Sequence, residues 1–288
     1  MERGILDAPA RAEGKISSSQ IVLTWRVTMT PEAYAAFTTA LLKRLDAEPD
    51  VLGLVLLGSS SGVPPPPDAF SDHDLFVVTR PGVQERFRND LRWLPNSEEL
   101  VVSFRDTPHG VRALDRSGHL VEFAVFDLDE LSLARVNRWS VPLDKADVRA
   151  RMERVQQATV AQTSAPSDPH WLAGQFLIEL VLGAGRYRRG ERLSGHFRVR
   201  VNAVQHLLAL VRLRASPEAR ARADDLDVSR CVELAAPEAA REIDAALLLP
   251  VPEAARALLA VGQRVFPDLI PREFPGALEQ VLAQASPP

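Results

Sequence analysis

The sequence predicts an α/β (α+β) protein: a mixed sheet flanked by helices in the first half, followed by an all-helical second half. Three observations carry this. Val51 to Leu57 and Leu75 to Val78 are unbroken apolar runs of strand length, as expected of strands buried on both faces. The segments around them carry apolar residues at helical spacing. Beyond about residue 150 the strand patterns stop and helical periodicity takes over, punctuated by prolines.

Residues 1–19 carry charges without an apolar stretch and read as a loose, flexible tail. Gln20 to Met29 alternates (Ile21, Leu23, Trp25, Val27), which suits a strand or extended arm. Thr30-Pro31-Glu32 opens a helix with Thr as cap and Pro at the first helical position. That helix should reach Ala47 and bury Phe37, Leu41, Leu42 and Leu45. Gly58 ends the first strand. Val83 to Trp93 reads as a helix, and Leu100 to Phe104 and His119 to Phe126 as further strands. Helices are expected over 148–162, 170–190, 197–214, 218–225, 237–248 and 252–265. The clearest break is Ser164-Ala-Pro-Ser-Asp-Pro169, where Ser167 or Asp168 can cap the following helix. The expected organisation is a tail at 1–19, a mixed-sheet domain at 20–150 and a helical domain at 151–288.

A chain of 288 residues suits two modest domains. Its 46% hydrophobic and 25% charged residues are ordinary for a globular protein. A formal charge of -4 without a basic tract argues against a nucleic-acid partner. Cys231 is the single cysteine, so no internal disulfide is possible and a reducing cytoplasm is expected. The first twenty residues lack the apolar core of a signal peptide, and no apolar run approaches the ~20 residues that span a bilayer.

The stretch LVLLGSSSGVPPPPDAFSDHDLFVV, from Leu54 to Val78, carries the chemistry and admits two readings. Gly58-Ser59-Ser60-Ser61-Gly62 matches the G-x-S-x-G of a hydrolase nucleophile elbow. An elbow needs a helix directly after the turn. Here Val63 and four prolines follow, and consecutive prolines favour an extended path. In the second reading, Gly58 and Ser59 turn backbone N–H groups and a hydroxyl toward a phosphate. Asp72 and Asp74 lie two apart, so on a strand both point to one face while His73 points to the other. Adjacent carboxylates repel unless a cation sits between them, and Mg²⁺ is suited to carboxylates plus substrate phosphates. Glu122, a lone charge inside the apolar run Leu120 to Val125, is the candidate third acid. Its bland alternative is a half-exposed strand face paired with an arginine.

Gly58-Ser59, then Asp72-x-Asp74, then Glu122 resembles the DNA-polymerase-beta-like nucleotidyltransferase superfamily. Asp68 and Phe70 ahead of Ser71-Asp72-His73-Asp74 look most like the streptomycin and lincosamide (aminoglycoside-type) adenylyltransferases. Arg116-Ser-Gly-His-Leu-Val-Glu122, Leu143-Asp144-Lys145 and Ala184-Gly-Arg-Tyr-Arg-Arg-Gly-Glu191 are similar to further elements of that branch. The resemblance covers most of residues 50–210. It implies a nucleotidyltransferase domain at 20–150 and a helical substrate-binding domain after it. The implied reaction moves AMP, or another nucleoside monophosphate, from ATP to a hydroxyl of a small acceptor such as an aminoglycoside- or lincosamide-like antibiotic. Asp72, Asp74 and Glu122 would hold two Mg²⁺ ions, Gly58 and Ser59 would grip the phosphates, and Lys145 would add a point charge. Glu179, in the apolar helix Trp171 to Leu182, is the candidate general base; its alternative is an ion pair with Arg186. The chain departs from the family by placing Ser60 where an arginine often follows Gly-Ser, leaving Arg80 or Lys145 to substitute. It also has a four-proline loop, and Glu in place of Asp as third acid. On this reading Ser60→Ala is expected to be nearly silent. A polypeptide acceptor, or nucleotide binding without catalysis, are the alternatives; the acceptor and the oligomeric state stay open.

Overall fold

The computed structural model describes residues 29–163, 168–220, 222–224 and 226–284. The expected tail at 1–19, residues 20–28 of the expected arm and Ser167 lie outside the described residues. Helix α1 spans Pro31–Ala47, with the Thr30 side chain accepting from the Ala33 N–H as foreseen. Its inward face buries Phe37, Leu41 and Leu45, and also Tyr34. Leu42 is only partly buried.

Six strands follow: β1 Val51–Leu57, β2 His73–Thr79, β3 Leu100–Arg105, β4 Gly110–Asp115, β5 Leu120–Phe126 and β6 Trp139–Asp144. They form one mixed sheet in the order β3-β4-β5-β2-β1-β6. Only β2 and β5 run parallel. Strands β4 and β6 do not appear in the sequence reading. The β4 segment GVRALD has a charge in its middle, and β6 contains Pro142, which an edge strand tolerates because one row of its N–H groups needs no partner. The expected helix at 83–93 is instead α2, Gln84–Asn89, followed by a 3-10 turn at Leu91–Trp93. Asp90 breaks it: its backbone is extended and its carboxylate caps the Arg92 N–H.

Alternation along the strands sends Leu54, Leu56, Leu75, Val77, Val121, Phe123 and Val125 to one face, under α1 and α2. The opposite face packs Val55, Val78, Phe126 and Val141 against Val148, Met152 and Val155 of α3, Val148–Thr163. Toward the starts of β2 and β5 this second face carries charged residues instead, and the candidate site lies there.

The remaining helices are α4 Pro169–Arg188, α5 Arg192–Phe197, α6 Val204–Arg214, α7 Pro217–Arg220, α8 Val232–Ala235, α9 Pro237–Leu247, α10 Val251–Val265 and α11 Phe274–Ala283. Asp168 caps α4 by accepting from the His170 N–H. The expected helix at 197–214 is continuous but changes pitch, with a π-helical segment at Arg198–Ala203. The expected helix at 218–225 shrinks to the single turn α7. A separate apolar cluster holds these helices together, with Phe176, Leu180, Leu207, Leu210 and Phe266 at its centre. Glycine sets the closest approach: a Cβ on Gly183 of α4 would lie 2.5 Å from Val199 Cγ2 and 3.1 Å from Arg198 Cβ. Gly183→Ala should therefore lower stability by about 1–3 kcal/mol through overpacking, read as a lower denaturation midpoint with acid-site binding unchanged.

Candidate active site

The buried run of β1 ends at Gly58, whose φ of 51° is left-handed and so favours glycine. The Gly58 N–H donates to the Arg138 carbonyl at 3.0 Å, fastening the turn to the chain entering β6. Gly58 to Ser61 then make one 3-10 turn closed by the left-handed Gly62, and no helix follows before β2. The hydrolase elbow is thus absent. A Cβ on Gly58 would lie 3.5 Å from Asp74 Oδ2, so the turn and that carboxylate are in contact distance.

A chain of hydrogen bonds ties this turn to the acidic pair. Asp74 N–H donates to Ser60 Oγ at 3.3 Å, Ser60 Oγ lies 2.6 Å from the Tyr34 hydroxyl, and Tyr34 O–H donates to the Asp72 carbonyl at 2.7 Å. The polarity is forced. Tyr34 has one proton, given to Asp72, so Ser60 donates to Tyr34 and is free to accept from Asp74. Such a run polarises in one direction and fixes the backbone on both sides of His73. Burial raises the Tyr34 pKa, partly opposed by hydrogen bonding from Ser60 and Ser59. Ser60 is buried, so its expected silence is corrected. Ser60→Ala leaves the Tyr34 oxygen and the Asp74 N–H without this partner, and should cost about 1–3 kcal/mol of stability.

His73 points away from the acids, into α1. Tyr34 stacks on its ring at 3.7 Å, Thr38 Oγ1 lies 2.9 Å from its Nε2, and His119 Nε2 lies 2.7 Å from its Nδ1. It is a core histidine.

On the other face the parallel register of β2 and β5 sets Asp74 beside Glu122. Asp72 precedes β2 by one residue. Asp74 feels the strain most: burial, then Asp72, then Glu122 push its carboxyl up to about 7, while Arg230 and Arg112 pull it down. Burial also raises Glu122, opposed first by Arg112. The bland expectation for Glu122 is met in part: Arg112 of β4 stands directly across from it, Nε 3.3 Å from Oε1. The three acids are therefore neighbours, yet among the described residues no group of three or more His, Cys, Asp or Glu is arranged to close around a metal ion. The chemistry of the donors still fits one divalent cation. Hard carboxylate oxygens held side by side suit Mg²⁺, which takes one or two carboxylates plus phosphates and water.

The other sequence candidates lie elsewhere. Lys145 is corrected: its Nζ donates to the Asp46 carbonyl at 2.7 Å and pairs with Asp46 at 3.5 Å. Its N–H donates to Leu52, which is six residues of strand, roughly 20 Å, from Gly58. Arg80, the other stand-in, caps the same far end through Asp50 and Pro49. Glu179 is held in the helical cluster by Arg198, at 2.9 Å to both carboxylate oxygens, and by Asn202 at 3.3 Å. Its partner is Arg198 rather than Arg186, which turns to Ser194 and Glu191.

Three residues escaped the sequence reading: Tyr34, Arg112 and Arg230. Tyr34 lies one helical turn before the expected inward residue Phe37, and that spacing was the available signal. Arg112 needed β4 to be recognised. Arg230 lies in the turn just before α8 and pairs with Asp224 at 3.8 Å; Asp224 also accepts from Asn137 Nδ2 at 3.0 Å and thereby links the helical half to the residues next to the Gly58 turn. No sequence pattern marks it.

No family model and no curated protein matches the chain. Among solved structures it is similar to an aminoglycoside 6-adenyltransferase from Bacillus subtilis, with 10% identity and a TM-score of 0.35 over 87% of this chain and 99% of that one. It is also similar to a chain of the E. coli MS115-1 CdnC:HORMA-deltaN complex, with 14% identity and a TM-score of 0.27 over 85% and 94%. At such values the function must be argued from this chain's own residues.

Proposed function

We propose that the protein is a metal-dependent nucleotidyltransferase that moves a nucleoside monophosphate, AMP from ATP in the first instance, onto a hydroxyl of a small acceptor. The single observation that carries this reading is the row of carboxylates on neighbouring strands beside a left-handed Gly-Ser turn, with Asp74 pushed up to about 7. Burying like charges side by side opposes folding unless a ligand compensates. Asp72 and Asp74 would hold the divalent cation, which when bound supplies charge stabilisation to the attacking and leaving oxygens of an in-line displacement.

This chain's residues do the positioning. Gly58 lets the turn approach a phosphate closely, and Ser59 offers a hydroxyl on the same turn. Tyr34 and Ser60 hold the backbone of Asp72 and Asp74 in register. Arg230 acts on Asp74 from the helical half and is the guanidinium best suited to the phosphate role left open by Ser60. Glu122 completes the acidic row beside Asp74. No general base is assigned to Glu179.

Incubation with Mg²⁺, α-labelled ATP and a panel of hydroxyl-bearing small molecules tests the reading. Label on a small molecule, with pyrophosphate released, is the expected result. Label on a polypeptide would move the acceptor to a protein. ATP binding without pyrophosphate release from any acceptor would leave a binding protein.

A further inference from the structure

Arg112 is a cation built into the acidic row. Its β4 register partner is Glu122, and its Nε lies 3.3 Å from Glu122 Oε1 and 3.2 Å from Asp106 Oδ2, at the end of β3. The same nitrogen, Nε, makes both of these ion pairs. One guanidinium thus bridges two acids from neighbouring strands. The same side chain lines a cavity of about 170 Å³ together with Asp74, Asp106, Glu122, Leu57 and Phe76. A positive charge is therefore already present where a second metal would need Glu122. A divalent ion there would face an arginine that cannot lose its proton, with Glu122 already shared. Asp72 and Asp74, with which Arg112 forms no ion pair, match a single divalent ion in charge.

We propose that Arg112 takes the place of a second metal: the site holds one divalent cation on Asp72 and Asp74, with the guanidinium as fixed cation at Glu122. This rests on the reading of Asp72 and Asp74 as metal ligands and revises the expectation of two ions. Arg112 is a positioning residue here, neutralising Glu122 and orienting it through the ion pair.

The test counts Mn²⁺, used in place of Mg²⁺, by electron paramagnetic resonance at saturating non-hydrolysable ATP analogue. The expected result is one Mn²⁺ per chain in the wild type, two in Arg112→Gln, where Glu122 is released, and one again in Arg112→Lys, which keeps the charge. A merely structural arginine would not change the count. Two ions in the wild type, or one in all three forms while Arg112→Gln keeps its thermal midpoint, would overturn the inference and leave the nucleotidyltransferase reading standing. Should Arg112→Gln fail to fold, Arg112→Lys and the wild-type count decide: one ion in each supports the inference, two in either overturns it. No nucleotide-dependent Mn²⁺ binding in the wild type would overturn both.

Discussion

Asp74→Asn should abolish the proposed nucleotidyl transfer and raise the thermal midpoint at pH 8. Loss of transfer follows from removing a carboxylate that the proposed cation needs. The gain in stability follows from linkage. The Asp74 carboxyl is pushed up to about 7 in the fold, from an ordinary value of 3.8, chiefly by burial and then by Asp72 and Glu122. The folded state therefore holds this proton more tightly than the unfolded chain does. That contribution is complete below about pH 4 and is lost as pH rises through 7. At pH 8 the charged group opposes folding by a few kcal/mol, since each pKa unit is worth about 1.4 kcal/mol. Asparagine keeps the shape without the charge. Melting curves at pH 8 and pH 4 should show a clear rise at the first and little change at the second. Mg²⁺ should lift the wild-type midpoint at pH 8 and leave Asp74→Asn unmoved.

The second large effect has the opposite sign and comes from the other face of the same strand. His73 is fully buried, and burial followed by the His119 charge lowers its pKa to about 3 from 6.5. Burial also lowers His119, against Asp115 and Asp72. Burial thus favours the neutral form of both rings. A depressed histidine stabilises above its unfolded value, and that stabilisation is lost as pH falls from 6.5 toward 3. The expected loss is roughly 4 kcal/mol for His73 alone at the acid end. In the wild type the Asp74 contribution offsets part of this between pH 7 and 4. In Asp74→Asn the histidine slope stands alone, so acid destabilisation relative to pH 8 should be steeper than in the wild type. His73→Gln, which removes the titration, should flatten it while lowering the midpoint at pH 8, because the contacts to Thr38 and His119 change. Circular dichroism melts across pH 4–8 read all three forms.

Continuous apolar runs and capped starts were legible because they are local: β1, β2, α1 and α4 follow from period, Thr30, Pro31 and Asp168. Strand β4 was not, since its charge Arg112 makes sense only beside Glu122, ten residues on and across a hairpin. The acids at 72, 74 and 122 could be grouped by type and spacing, whereas their compensation by Arg112 and Arg230 depends on tertiary pairing that no window of sequence contains. Lys145 shows the converse. A basic residue after a strand looked available for phosphate, yet the antiparallel course of β6 carries it to the far end of the sheet from Gly58. Ser60 read as the residue that replaces an arginine; only the approach of α1 reveals it as the middle of a hydrogen-bond chain.

Calorimetric titration of ATP into the wild type and Asp74→Asn, each with Mg²⁺ and with EDTA, tests most directly whether Asp72 and Asp74 grip a cation for a nucleotide. The account predicts Mg²⁺-dependent binding to the wild type that falls at least about tenfold, or about 1.4 kcal/mol, in Asp74→Asn and in EDTA. Equal binding in all four titrations would contradict it.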